Sequence, residues 1–235
     1  MKIYSYVLRI DDGAAPNPFG GLCTLTICKP VIRRTAQIGD WIIGTGSKNV
    51  KFGSGGGDVS DLSNCIVYAM KITDIKSLSE YDVFCNNNLT DKIPNWHASD
   101  WKKRVGDCIY DFKSITKSNQ PAIRKSVHDE GNRKRDLSGK NALISNHFYY
   151  SGAEAKSIPW ELKEVIKKSQ GHKKIENVKL IKAFEQWIEQ FVRNKIYADP
   201  QMAWIFHGDF FEEVVCGCAT DRVETEVGDE EETLC

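Results

Sequence analysis

Two apolar runs, residues 38–48 and 65–73, constrain the fold more than any other part of this sequence. In the first run, Gly39 and Asp40 predict a turn that leads into a short buried strand. The second run is rich in β-branched and aromatic residues and has no helical period, so it predicts a strand that pairs with the first. Residues 44–48 open a polar loop that can offer glycine N–H groups and the Lys48 amine to an anion or a base edge.

Three blocks of the sequence resemble the nucleotide modification associated domain 2 family of phages and bacteria. The blocks are residues 4–30, residues 39–47 and residues 143–150. The resemblance spans roughly residues 1–165 and implies an association with genes for modified DNA bases. The sequence of turn, strand, polar loop and strand is also similar, more loosely, to small PUA-like barrels of the ASCH and EVE groups, which bind nucleic acid or modified bases.

The predicted fold class is α+β, a small PUA-like β-barrel with a C-terminal helical annex. We expect a PUA-like domain over residues 1–155, a helical annex packed on it over residues 156–200, and an acidic, disordered tail over residues 209–235. Strand patterns are found at 3–10, 22–27, 40–44, 65–72, 108–110 and 141–150.

Helix signals are concentrated in the second half of the chain. Pro159 and Gly171 bound one predicted helix. Apolar residues then recur at three- and four-residue spacing from Ile175 to Val192, which predicts a second helix with a buried stripe that ends near Tyr197. Earlier in the chain, Ser77 and Glu80 have capping-box spacing. Residues 52–58 and 131–135 are expected to form mobile loops.

The zero net charge conceals a separation of charge along the chain. Residues 209–235 contain ten acidic residues and one Arg, a net charge of −9, so residues 1–208 carry +9. The tail is expected to be disordered or to lie on the basic face as a mimic of nucleic acid.

The densest basic stretch runs from residue 101 to residue 135, with aromatic residues between its cations. This pattern suits phosphate contacts and base stacking, and it equally suits a solvated loop face. The residues expected to contact phosphate are Lys102, Lys103, Arg104, Arg133, Lys134 and Arg135.

The favoured function is a binding module that holds a base or modified nucleotide in the barrel pocket by stacking and edge hydrogen bonds. The residues expected to bind this ligand are Asn17, Phe19, Trp41, Thr45, Gly46, Ser47, Lys48 and Tyr149. Trp41 alternates with Ile42 and faces either the pocket or the core. The setting implied by the family resemblance is phage or bacterial DNA modification or defence, with DNA favoured over RNA.

The alternative function is an enzyme that modifies a nucleotide or DNA base, with Lys29 or Lys48 on phosphate. His128 and His147 are its candidate general bases, because a His near a carboxylate can move a proton. A surface His–carboxylate pair is the structural alternative for both. A third possibility is a protein-interaction scaffold that uses the helical annex.

No cofactor and no metal are expected. Cys216 and Cys218 form the one close cysteine pair, and such a pair without further ligands is a weak zinc signal. The other cysteines fall largely in strand-like runs, where a reduced thiol behaves as a small hydrophobe. No apolar run is long enough to cross a membrane and Met1 leads directly into a strand pattern, so we expect a cytoplasmic protein with no membrane partner.

Overall fold

A computed structural model describes residues 1–51 and 59–206 of the chain. Its strands are β1 (Ile3–Val7), β2 (Cys23–Leu25), β3 (Trp41–Thr45), β4 (Val50–Lys51), β5 (Val59–Ser60), β6 (Cys65–Lys71), β7 (Asp74–Ser77), β8 (Tyr110–Ile115), β9 (Pro121–Ile123), β10 (Asn141–Ser145), β11 (Phe148–Tyr150), β12 (Lys156–Ser157), β13 (His172–Ile175) and β14 (Lys195–Ile196). Its α-helices are α1 (Pro30–Thr35), α2 (Leu78–Asn88), α3 (Arg133–Ser138) and α4 (Val178–Ile188). Short 3-10 helices cover Thr90–Lys92, Trp101–Lys103, Gly152–Glu154, Trp160–Val165 and Ala203–Phe206.

A seven-stranded sheet lies at the centre, in the order β13-β1-β3-β6-β11-β14, with β12 also paired to β6. β3 and β6 contain the two apolar runs of the sequence and pair antiparallel, so that prediction is confirmed. β1 lies parallel to β3 on its other side, with Val7 opposite Thr45. Because the two strands are parallel, their carboxyl ends meet at the same edge of the sheet.

The two faces of the central sheet belong to two different cores, because successive residues of a strand point to opposite sides. On β3, Ile42 packs into one core and Trp41 into the other. α4 covers the Trp41 face with three buried residues at helical spacing, Ile181, Phe184 and Ile188. Each such side chain stabilises the fold by roughly 1.5–3 kcal/mol relative to exposure. The interpretation of the stripe as core is therefore confirmed for these three residues, whereas Val178 and Val192 are exposed.

Smaller elements cover the opposite face. β2, β10 and β7 form a three-stranded antiparallel sheet, and β8 pairs with β9. α2 begins with the predicted capping box: the Ser77 hydroxyl accepts from the Glu80 N–H, and the Glu80 carboxylate accepts from the Ser77 N–H. These contacts satisfy two backbone donors that a helix start leaves without partners.

The mixed α+β class is confirmed, but no sheet within residues 1–51 and 59–206 closes into a barrel. A barrel requires its first and last strands to pair. Here β13 and β14 lie at opposite ends of the strand order, and both faces of the sheet are covered by packed side chains. The predicted PUA-like barrel is thus an open sheet between two layers.

Residues 156–200, expected to be a helical annex, contribute β12, β13 and β14 to the central sheet as well as α4. The helix predicted from Pro159 is a short 3-10 turn, and the second helix is confined to Val178–Ile188. Part of the loop expected at 131–135 is the start of α3. The loop expected at 52–58 and the tail at 209–235 lie outside the described residues.

Candidate functional site

A cleft of about 560 Å³ lies at the carboxyl ends of β1 and β3. The ends of parallel strands are a common place for ligand sites in α/β sheets, because the loops that follow the strands leave a crevice there. The lining residues are Val7, Leu8, Arg9, Ile10, Ala15, Cys28, Lys29, Gly46, Ser47, Lys48, Asn49, Ser63, Asn64, Lys167, Lys168, Ser169, Gln170 and Gly171. Six separate segments of the chain therefore build this cleft.

All the charged side chains among the described residues that line the cleft are positive. Five of these residues are Lys or Arg and none is Asp or Glu; the cations are Arg9, Lys29, Lys48, Lys167 and Lys168. The Lys29 amine lies 4.9 Å from the centre of the Tyr6 ring, a cation–π contact that places it beside β1. Clustered cations in a concave surface favour an anionic ligand.

Gly46 places the loop after β3 against the opposite wall of the cleft. A Cβ at this position would lie 2.4 Å from the Leu62 carbonyl oxygen, which is too close for any larger residue. The Gly46 N–H donates to the Cys65 carbonyl at 3.0 Å. The backbone at Gly46 therefore approaches residues 62–65 closely, as predicted for this glycine, rather than a ligand. This packing positions Ser47 and Lys48 at the cleft.

Of the eight predicted ligand residues, the structure brings Gly46, Ser47 and Lys48 to the cleft and places the other five elsewhere. Trp41 is fully buried, and its indole N–H donates to the Glu185 carboxylate at 3.0 Å. This residue therefore faces the core that α4 covers.

The remaining predicted ligand residues have structural partners. The Asn17 amide donates to the Val105 carbonyl, and its oxygen accepts from the fully buried Lys92 amine at 2.7 Å. The Thr45 hydroxyl donates to the Tyr6 carbonyl. Phe19 is buried edge-on against Trp101, and Tyr149 is buried beside Trp41. None of the aromatic rings expected to stack on a base lines the cleft.

His128 and Asp136 form a buried pair close to the cleft, with 2.6 Å between His128 Nδ1 and Asp136 Oδ2. Burial acts to raise the pKa of Asp136, but the His128 charge and hydrogen bond and the Arg33 guanidinium together hold it below its usual value. An ionised carboxylate only accepts hydrogen bonds, so Nδ1 is the donor and Nε2 is directed away from Asp136.

His147 lies far from this pair in the fold, on the side of the sheet that α4 covers. Its Nε2 lies 3.3 Å from the Tyr149 hydroxyl, and its ring packs edge-on against Trp41. Burial, together with the charges of Arg193 and Lys71, lowers the pKa of His147 to about 4. The two candidate general bases are therefore in different environments, and the structure does not bring them together.

The basic stretch at 101–135 does not line the cleft. Arg104 donates to the carbonyls of Ala98 and Phe206, and Arg133 donates to Glu130 and to the Pro121 carbonyl. The Lys102 amine lies 3.6 Å from Asp199. Lys103 and Lys134 are exposed, and Arg135 is partly buried. Within this stretch, Arg104 and Arg133 serve mainly to hold loops together.

Arg9, Lys167 and Lys168 line the cleft although no sequence pattern predicted them, and Lys29 was expected at a phosphate only in the enzymatic alternative. Lys167 and Lys168 precede a polar segment that ends in Gly171, which was interpreted as the end of a helix. A signal was present in the composition of residues 167–171, which are polar or glycine throughout. Their approach to the ends of β1 and β3 depends on β13 pairing with β1, a long-range contact.

Within residues 1–51 and 59–206, no three His, Cys, Asp or Glu side chains are arranged to hold a metal ion. Among the helices of the same part of the chain, none has the length and apolar character that crossing a membrane requires.

The protein is therefore of the mixed α+β class and has a cationic cleft at the ends of two parallel strands. The chain belongs to the nucleotide modification associated domain 2 family, whose model matches residues 1–208. The resemblance drawn from the three sequence blocks is therefore confirmed, and the family name points to a role in nucleotide modification. No curated protein and no solved structure matches the chain significantly.

Proposed function

We propose that the cationic cleft binds a nucleotide through its phosphates, as a step in nucleotide or DNA-base modification. The observation that carries the proposal is the charge of the lining, which contains five cations and no carboxylate among the described residues. In a concave site with little competing negative charge, such a set attracts phosphate strongly. The family name, which refers to nucleotide modification, supports the ligand class.

The shape and remaining surface of the cleft support the same ligand. Its volume of about 560 Å³ falls within the range of small-molecule sites, about 300–1,000 Å³. Val7, Leu8 and Ile10 supply apolar surface for a base or sugar, while Ser47 and Asn49 supply polar groups for its edge. Because none of the described residues that line the cleft is aromatic, base contacts in this proposal rely on apolar packing and hydrogen bonds rather than on stacking.

The proposed setting is bacterial or phage DNA modification or defence in the cytoplasm, with DNA favoured over RNA. The ligand is either a free nucleotide or a nucleotide unit of DNA, since both present the same phosphate chemistry. Binding assays with deoxynucleoside mono- and triphosphates, and with single- and double-stranded DNA, distinguish these two sources.

The test is equilibrium binding with paired lysine variants. The double variant Lys48→Ala/Lys168→Ala removes two cleft amines, and Lys103→Ala/Lys134→Ala removes two exposed amines from the basic stretch. A hydrogen bond to a charged group contributes about 1.5 kcal/mol or more, so we expect at least a roughly tenfold loss per contact in the cleft variant. The control variant should bind as the wild type does.

Equal losses in both variants would assign phosphate binding to the general charge of the surface. A loss in the Lys103/Lys134 variant alone would move the site to the basic stretch. Absence of binding by the wild type to every nucleotide and DNA tested at low salt would refute the proposed function.

A further inference from the structure

Cys28 occupies an unusual backbone position at the wall of the cleft. It follows β2 and precedes α1, and both Cys28 and the next residue, Lys29, have positive φ angles, 57° and 41°. Side chains other than glycine rarely adopt this left-handed region, and two such residues in succession store strain. Cys28 contributes to the cleft lining although its side chain is almost completely buried.

The sulfur of Cys28 lies 3.5 Å from His128 Nε2, the ring nitrogen directed away from Asp136. The Asp136 carboxylate accepts from His128 Nδ1 at 2.6 Å and from the Cys28 backbone N–H at 2.9 Å. The Tyr110 hydroxyl also donates to this carboxylate at 3.0 Å. The Asp136 carboxylate therefore fixes both the imidazole and the backbone that carries the thiol. Arg33 supports the same arrangement by donating to the carbonyls of Cys28 and Asp136.

We propose that Cys28 is a nucleophile of the cleft, with His128 as its general base and Asp136 as the positioning residue that orients the imidazole. The order of thiol, imidazole and carboxylate is the arrangement by which a base activates a nucleophile and a third group holds the base. Strained residues concentrate at functional sites, so the left-handed conformation of Cys28 supports a catalytic role for this residue.

The surroundings of the other cysteines differ. Burial raises the pKa of the Cys23 thiol to about 12, and burial also raises the pKa of Cys65. The hydrogen bond with Cys85 and burial raise the pKa of the Cys108 thiol, against the lowering effect of the Arg124 charge. Among the cysteines of the described residues, Cys28 is the one placed against an imidazole at a cleft wall.

This arrangement supports acyl transfer from an ester or amide. That the ester or amide is carried by a phosphate-bearing ligand rests on the proposed function. The Cys28 thiol proton passes to His128 Nε2 as the sulfur bonds to the acyl carbon. The bond from that carbon to the leaving oxygen or nitrogen breaks, and the leaving group takes the proton from His128. Water then adds to the thioester with His128 as base, which releases the acid and restores the thiol.

The first experiment measures alkylation of the full chain by iodoacetamide, without nucleotide, between pH 5.5 and 8.5, with each cysteine followed by peptide mass spectrometry. Cys65 is the internal control, because it is more exposed than Cys28. An ordinary thiol loses about tenfold in rate per pH unit below its pKa, whereas a thiol paired with an imidazole remains reactive. We expect Cys28 to react at least tenfold faster than Cys65 at pH 6, with a much flatter pH profile.

The groups that face this site are Lys29, Arg33, Tyr6, Tyr110 and Asp136. In the variants His128→Gln and Asp136→Asn, the flat profile should revert to the ordinary slope. Tyr110→Phe is the matched control, because it removes another contact of Asp136 and leaves the thiol and imidazole in place; its profile should remain flat. Faster alkylation of Cys65, or an ordinary slope for wild-type Cys28, would overturn the proposal without any need for the variants.

The acyl-transfer step is tested with p-nitrophenyl acetate. We expect wild-type protein to release p-nitrophenol with an acetyl group trapped on Cys28, and release should fall at least tenfold in Cys28→Ser but not in Cys65→Ser. Equal release by the Cys28→Ser variant would refute the step. Because neither experiment contains a nucleotide, a failure here is separate from a failure of nucleotide binding in the lysine variants.

Discussion

The buried acid Asp11 shows how a single residue responds to the packing around it. Its carboxyl oxygens accept from the Tyr150 hydroxyl at 2.5 Å and from the Gln201 N–H at 3.1 Å. Burial raises the pKa of Asp11 from 3.8 to about 7, against the lowering effect of these two hydrogen bonds. The folded protein therefore favours the protonated form of this group over a range in which the unfolded chain is ionised.

We predict that Asp11 makes the free energy of unfolding decrease as pH rises from about 4 to about 7. Since the pKa is raised in the folded state, its contribution is fully present below pH 3.8 and is lost as pH passes about 7. The change is on the order of 4 kcal/mol, at about 1.4 kcal/mol per pH unit. Urea unfolding of the wild type and of Asp11→Asn at several pH values measures it.

The quantity to compare is the difference in unfolding free energy between the wild type and Asp11→Asn, because other titrating groups change the stability of both proteins. His147, with a pKa lowered to about 4, contributes the opposite slope: its stabilisation is present at neutral pH and lost on acidification. A difference in unfolding free energy that stays constant from pH 4 to pH 7 would contradict the assignment to Asp11.

Trp41 is predicted to act on stability rather than on ligand binding. Its side chain is fully buried against Phe184 and does not line the cleft. Trp41→Ala should lower the free energy of unfolding by roughly 3–5 kcal/mol and leave the nucleotide affinity of the folded protein unchanged. Trp160, which is 75% exposed, provides the control, since its replacement by Ala should change stability little. A weaker nucleotide affinity with an unchanged free energy of unfolding in Trp41→Ala would show that Trp41 binds the ligand.

At the scale of the elements, the sequence predicted best the structures that short-range chemistry specifies. The Ser77 capping box, the strand patterns of β3 and β6 and the buried stripe of α4 are each encoded within a few residues. β13 could not be recognised in the same way. It contains two lysines between His172 and Ile175, and only its pairing with β1 makes it a strand.

The start of α4 provides a test at this scale. The Asn177 side chain accepts from the N–H groups of Lys179 and Leu180, so it caps the helix. Asn177→Ala should lower the free energy of unfolding by about 1 kcal/mol, whereas Asn177→Asp keeps an acceptor and should cost much less. Urea denaturation at neutral pH compares the two, and a wild-type free energy of unfolding in Asn177→Ala would show that the cap contributes nothing.

At the scale of the whole molecule, the site depends on contacts between distant parts of the chain. Residues 46–48 were predicted because a single loop carries the glycine and the lysine. Cys28 and His128 are 100 residues apart, and no spacing in the sequence relates them. His128 was selected for its acidic neighbours in sequence, yet its partner is Asp136, which the sequence placed just after a mobile loop. The sequence therefore predicted His128 as a candidate base but did not predict its partner Asp136.

The separation of charge along the chain leads to a prediction for the entire protein. Residues 1–208 carry +9 and residues 209–235 carry −9, so removal of the second segment should strengthen binding of DNA at low salt. Salt screens exposed charges over about 10 Å at 0.1 M and about 3 Å at 1 M, so the gain should shrink as salt rises. Fluorescence anisotropy with a labelled DNA duplex compares the full chain, the chain ending at residue 208, and a full-length variant with the ten acidic residues of 209–235 changed to Asn or Gln. If charge is the cause, the last two proteins should bind alike and more tightly than the wild type; equal affinity of all three at low salt would show that the segment does not compete with DNA.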